Sequence, residues 1–246
     1  MSRWWAETIV VAPADIAGGA SSPELVLACF ASALEAMRKP PGTRVVAVVG
    51  GDAVRLRVVP WNDALAAPRE RQVLATQGFV EAYGESARGW AVCERATCFG
   101  EATLAAAIDT VLLDGLEALV VARGLRLAGV RPAFTQAFDA RRRELCPGPA
   151  WFVWIERHVT TVLLYAERAP LHVRRFAAPH ADLETVLARE SFALGRDEAP
   201  CNVFVDRAPG APAAMPHEAL AANARFHVIH LPRAAVASRI PAAVAA

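Results

Sequence analysis

The sequence predicts an α/β protein in two lobes, built of mixed sheets with helices on their faces. Residues 151–176 (WFVWIERHVTTVLLYAERAPLHVRRF) hold three apolar, β-branched or aromatic runs. Short polar breaks at 156–158 and 167–170 separate them, which is the pattern of an antiparallel meander. Residues 44–61 hold two more such runs around Gly50-Gly51-Asp52. This predicts a hairpin over 44–59, made of Arg44–Val49 and Val54–Val59. Elsewhere the apolar period switches repeatedly between that of strands and that of helices. With 246 residues, 54% of them hydrophobic, the chain can bury a sizeable core.

In chain order, residues 5–12 read as a first strand. Ser22 at an N-cap, Pro23 at the first helical position and Glu24 beside the positive end of the dipole predict a helix over 23–38. Val26, Phe30, Leu34 and Met37 share one face of it, and Pro40-Pro41-Gly42 ends it. In the second arm of the hairpin Val54, Leu56 and Val58 alternate with Arg55, Arg57 and Val59, predicting one buried and one partly wet face. Pro68 opens a helix over 67–83, closed by Gly84. Residues 90–95 and 97–100 read as a short pair of strands. Residues 104–108 fit strand or helix, 109–122 are helical, and Gly124 is the expected C-terminal cap. A strand at 125–131 precedes a helix from Pro132 to about 145, with Phe134 and Phe138 one turn apart. Pro147-Gly148-Pro149 marks the boundary between a first lobe, 1–148, and a second, 149–246. Beyond the meander, Asp182 caps a helix over 183–194 that ends at Gly195. Strands follow at 202–205 and 226–231, with a loop at 208–216, a short helix at 217–224 and a frayed tail.

Composition excludes several functions. A net charge of +1 leaves no global footprint for nucleic acid. Arg141-Arg142-Arg143 sit at a helix end, where cations complement the dipole, and read as solvated. The N-terminus has no long apolar region or small-residue cleavage site. The longest apolar stretch, 104–121, is broken by Asp109, Asp114, Gly115 and Glu117, short of the ~20 residues a membrane span requires. The expectation is a cytoplasmic protein without direct membrane insertion. Cys29, Cys93, Cys98, Cys146 and Cys201 are odd in number and scattered, so they make neither a disulfide framework nor a zinc ribbon. Cys93 and Cys98 flank a turn, and all five read as buried or semi-buried free thiols, with a metal or redox role as the alternative. Gly50-Gly51 is followed by a strand where a phosphate loop needs a helix. His227 and His230 lie three apart on a strand, on opposite faces, which argues against a shared metal. His158, His172, His180 and His217 have no matched partners. No Gly-x-Ser-x-Gly or His-Glu-x-x-His occurs. Glu156-Arg157-His158 reads as a solvated turn or a polar cluster for substrate. Trp4, Trp5 and Trp61 read as core anchors or interface hot spots.

Three phrases carry a family resemblance. VVAVVGGDAVRLRVVPW ends in a proline turn that leads into a helix. LDGLEALVVARGLRLAGVRPAFTQAFDA runs helix, Gly-Leu, strand, Pro, helix. The meander opens the second half. Over about 44–194 these resemble the actin-like, ribonuclease H-like fold of sugar-kinase-type ATPases. Within it they are similar to the PilM and GspL-type cytoplasmic assembly proteins of type IV pili and type II secretion systems.

Active members hold phosphate at the start of both halves, each time with a strand, a turn containing Asp and Gly, and another strand. Glycine lets backbone N–H groups approach the phosphate, and the carboxylate positions the metal or the attacking water. By this resemblance, Trp154 stands where the carboxylate belongs and Glu156 where the glycine belongs. Only Thr160 and Thr161 survive in kind. The N-terminal counterpart carries Pro13, and Asp206-Arg207-Ala208-Pro209 replaces the Gly-Gly turn for adenosine. The resemblance therefore implies a degenerate actin-like fold with a vestigial nucleotide turn, and no catalytic residue, metal or cofactor. The implied role is a cytoplasmic scaffold of a pilus or secretion apparatus. Its partner would be an inner-membrane assembly protein whose short cytoplasmic tail is held in a groove between the lobes, by backbone pairing along a strand edge and pockets for a few side chains. The chain is also compatible with a homodimer. The alternative is a nucleotide-dependent small-molecule kinase or ATPase of the same fold. A stand-alone ligand-binding domain of unrelated α/β fold is a third reading.

Overall fold

The meander organises a five-stranded sheet in the second half of the chain. The computed structural model describes residues 6–11, 22–65, 67–94, 99–167, 169–177, 183–196, 200–211 and 225–232. These include eleven strands, β1 to β11, and five α-helices, α1 to α5. The described part of the chain divides within α4 (Ala133–Arg141) into two compact units, one up to Gln136 and one from Ala137 onward. That division lies upstream of Pro147-Gly148-Pro149.

In the first unit, β1 (Ala6–Val11), β2 (Arg44–Val49) and β6 (Arg126–Pro132) form a parallel sheet in the order β1-β2-β6. A second sheet, β3-β5-β4, pairs Val54–Val59, Thr103–Asp109 and Trp90–Glu94 antiparallel. The expected 44–59 hairpin is therefore wrong. Its two arms are β2 and β3, they belong to different sheets, and residues 50–53 only turn the chain between them. The physical reason is visible in the arms. Val45–Val49 is apolar at every position and buried throughout, as suits an interior parallel strand with neighbours on both sides. The alternating arm β3 takes β5 as its partner instead.

The pair expected at 90–100 is also corrected. β4 pairs with β5, and Phe99–Gly100 is a turn. Residues 104–108 resolve as a strand whose alanines face two ways. Ala106 and Ile108 pack toward α1 (Pro23–Met37) and α3 (Thr110–Ala122), while Ala105 and Ala107 pack toward α2 (Pro68–Tyr83). The face of β3 expected to be partly wet thus lies under α2, with Val59 buried beside Phe79.

α1 and α3 share a core with β2 through Val26, Phe30, Leu34, Leu112, Leu116 and Val120. Gly115 permits this approach, because a Cβ there would stand 2.6 Å from Leu27 Cδ1. Gly124 follows α3 with φ +67°, the left-handed conformation expected of a helix-ending glycine. Ser22 occupies the N-cap of α1, but its side chain makes no capping bond. It hydrogen-bonds Glu24 instead, which with the backbone N–H of Glu24 lowers that carboxyl's pKa.

In the second unit the order is β9-β8-β7-β10-β11, from Ala169–Ala177, Val159–Ala166, Ala150–Ile155, Cys201–Arg207 and Phe226–His230. β7, β8 and β9 form the expected antiparallel meander, and β10 and β11 extend it parallel to β7. β7 is buried at all six positions because both sheet faces are covered. One face receives α5 (Leu183–Ala193) through Leu183 and Leu187 against Trp151, Val153, Val162 and Val205. The other receives Phe138 of α4 against Phe152 and Tyr165, with ring centroids 5.4 and 5.6 Å apart. α4 ends at Arg141, short of the expected 145. The expectations on Trp4, Trp5, Cys98, His180, Asp182, the helix at 217–224 and the tail from 234 lie outside the described residues.

Candidate functional site

At the carboxyl ends of the parallel strands β7 and β10, three residues stand side by side. Asp206 of β10 is in register with Trp154 of β7, and Trp154 is in register with Thr161 of β8. In-register neighbours share a face, so all three lie on the α4 side of the sheet. Trp154, Thr161 and Asp206 are all buried there. Thr160 pairs with Ile155 and falls on the opposite, α5 face, where it too is buried. Glu156 lies in the turn itself, its backbone N–H donating to the Val159 carbonyl at 2.8 Å. The four residues of the expected nucleotide turn are thus split, and only Trp154 and Thr161 come together.

The group that pairs with Asp206 was not expected. Arg141 is a buried side chain, not a solvated helix end, and its Nε donates to Asp206 Oδ2 at 2.7 Å while Nη2 reaches Oδ1 at 3.4 Å. Nη1 donates to both oxygens of Glu144, at 3.0 and 3.2 Å, and Nη2 also donates to the carbonyl of Pro232. Asp206 Oδ1 additionally accepts from the backbone N–H of Arg207 at 2.8 Å. The hydrogen bond to Asp206 is the main reason that the Arg141 pKa lies above its usual value, and burial opposes it. Both charges are almost wholly withdrawn from water, with side-chain exposures of 6% and 4%. A pair at that depth persists only when hydrogen bonds satisfy the remaining donors and acceptors. Beside it, Trp154 Nε1 is enclosed with no hydrogen-bond partner among the described residues.

A signal for Arg141 was present in the sequence. Phe134, Phe138 and Arg141 follow at steps of four and three, so Arg141 continues the buried stripe of α4 while Arg142 and Arg143 leave it. Asp206 likewise continues the alternation of Phe204 on a strand whose two faces are both covered.

Of the remaining candidates, His172, expected to be without a partner, lies with Nε2 2.9 Å from Oε2 of the buried Glu190. His227 and His230 pair with Asn202 and Val205 on β10 and so lie on opposite faces. Among the described residues, no group of three or more His, Cys, Asp or Glu is arranged to hold a metal ion. Cys29, Cys146 and Cys201 are half-buried free thiols, whereas Cys93, expected to be at least partly buried, is exposed. Trp61 is half-buried, with the Arg71 guanidinium 4.8 Å from its ring centroid and Phe99 4.5 Å away edge-on. No described helix is long and apolar enough to cross a membrane.

No protein-family model matches the chain, and no curated protein matches it. Solved structures do. A chain of the PilM-PilN type IV pilus biogenesis complex matches with a TM-score of 0.58 at 14% identity, covering 83% of this chain and 75% of that one. A Bacteroides thetaiotaomicron protein of unknown function with an actin-like ATPase fold matches at 0.57 and 8% identity, over 83% and 76%. The chain has an actin-like fold. The cytoplasmic domain of EpsL, an inner-membrane component of the type II secretion system of Vibrio cholerae, matches at 0.53 and 12% identity, over 92% and 89%. At such identities the likeness is one of fold, and it lends no support to a homodimer.

Proposed function

We propose that this chain is a non-catalytic cytoplasmic assembly protein of a bacterial pilus or secretion apparatus, which binds an inner-membrane partner. What supports the non-catalytic part is the buried row Trp154, Thr161 and Asp206, which by resemblance stands beside the turn where active members of the fold hold phosphate. Phosphate needs open backbone N–H groups and a carboxylate free to hold a metal. Here an indole occupies the strand end, and the one buried carboxylate beside it is taken by Arg141. Displacing that guanidinium would leave Asp206 unpaired in a dry environment, which is strongly unfavourable. The fold neighbours support the assembly role. One belongs to a pilus biogenesis complex, and another is the cytoplasmic domain of an inner-membrane secretion component.

Isothermal titration with Mg-ATP separates this reading from a small-molecule kinase or ATPase of the same fold. No saturable heat is expected up to millimolar nucleotide. Micromolar binding with turnover would favour the enzyme. Affinity capture from detergent-solubilised membranes is expected to retain an inner-membrane protein with a short cytoplasmic tail.

A further inference from the structure

Arg44 and Arg126 open the neighbouring parallel strands β2 and β6, directly in register. They therefore share a face, about 5 Å apart at the backbone. Like charges placed opposite each other destabilise a sheet. Both side chains are exposed, and no carboxylate among the described residues pairs with either. Between and beside them lies an open hollow of about 510 Å³, lined by Arg44, Arg126, Leu127 and Ala128. That volume is ample for a few side chains.

Protection of a sheet edge does not account for the pair. β6 is the outer strand of its sheet and none of its residues is buried, so a bulge, Arg126 and Pro132 would serve to blunt it. Arg44 is different, because it stands on β2, an interior strand with β1 on its other side. An arginine without a partner among the described residues blunts nothing there.

We infer that Arg44 and Arg126 bind an acidic side chain on an extended segment of the inner-membrane partner, laid along the open edge of β6. Two arginines in register present a paired set of donors suited to one carboxylate. Leu127 and Ala128 offer apolar contact for the flanking residues, and the edge offers backbone pairing. An anionic membrane surface fits less well, since such surfaces are read by clusters of four to eight basic residues. This site rests on the reading given under Proposed function.

The test uses the full chain and the Arg44→Gln/Arg126→Gln double variant. The inner-membrane protein captured by the wild type supplies a synthetic peptide of its cytoplasmic tail, and a twin with each Asp and Glu replaced by Asn and Gln. Fluorescence anisotropy is expected to show the acidic peptide binding the wild type about tenfold or more tightly than it binds the double variant. The neutral twin should lose as much on the wild type and nothing further on the variant. The variant's thermal midpoint should equal or exceed that of the wild type, because a repulsive pair has been removed. Equal affinity for wild type and variant overturns this inference and leaves the proposed function standing. Capture of no membrane protein by the wild type overturns both. Arginine-dependent binding to phosphatidylglycerol vesicles, with no discrimination between the two peptides, assigns the pair to lipid and overturns the peptide site.

Discussion

Each unit of this protein buries an arginine, and the two do different things. In the first unit, Arg71 of α2 is ion-paired to Glu94 of β4 and donates to Thr103 Oγ1 of β5 at 3.0 Å, with Trp61 over its guanidinium. Side-chain exposures of 10% and 12% leave the pair within reach of water. Its work is to tie a helix to two strands of the sheet beneath. In the second unit, Arg141 meets Asp206 at the carboxyl ends of parallel strands, deeper than Arg71. That position is where folds of this kind keep their ligands. The two pairs share a type of contact and differ in depth and in their place on the sheet.

The comparison can be broken at several points. The largest effect is expected for Asp206→Ala, which takes the partner of Nε from the deeply buried Arg141 while Glu144 and Pro232 remain, and should cost about 3 kcal/mol in urea denaturation. The paired apolar replacement Arg141→Met/Asp206→Leu should recover most of that loss, because neither charge is then buried alone. If the double variant is as unstable as the single one, the pair is not the origin of the cost. Next comes Glu94→Ala, expected to cost roughly 1.5–3 kcal/mol, since Arg71 keeps Thr103 and Trp61. A loss as large as that at Asp206 would erase the distinction between the two arginines. Phe99→Ala, at a ring 80% exposed, should move the denaturation midpoint by no more than about 0.5 kcal/mol.

The smallest effect is one of pH. Burial, with a contribution from Arg207, holds the His230 pKa below its ordinary 6.5. Its proton is then bound more weakly in the folded chain than in the unfolded one. The contribution to stability is complete above pH 6.5 and is lost as pH falls through that value. His230→Gln should flatten the stability profile between pH 5 and 7, and an unchanged profile would show that His230 is not the titrating group.

Much of the fold was legible because local pattern and tertiary context agree. The meander, α1, α2 and α5 announce themselves through apolar period, Pro at helix starts and Gly at helix ends. β5 did not, because Leu104-Ala105-Ala106-Ala107-Ile108 has the composition of a helix. It is a strand because β3 and β4 pair with it on both edges, and its alanines let helices approach both faces. The candidate site was half legible. Trp154 and Thr161 were singled out through resemblance, while Arg141 was set aside with its two solvated neighbours.

The sequence by itself determined which segments are helices or strands at most positions. It also put Trp154 and Glu156 at the positions where, by resemblance, active members of the fold carry a carboxylate and a glycine. Only the tertiary structure decided that the two arms of 44–59 part into different sheets, and that Arg141 closes on Asp206 sixty-five residues away. Pairing partners and ion pairs at such separations depend on which surfaces meet when the chain collapses. No local period encodes that.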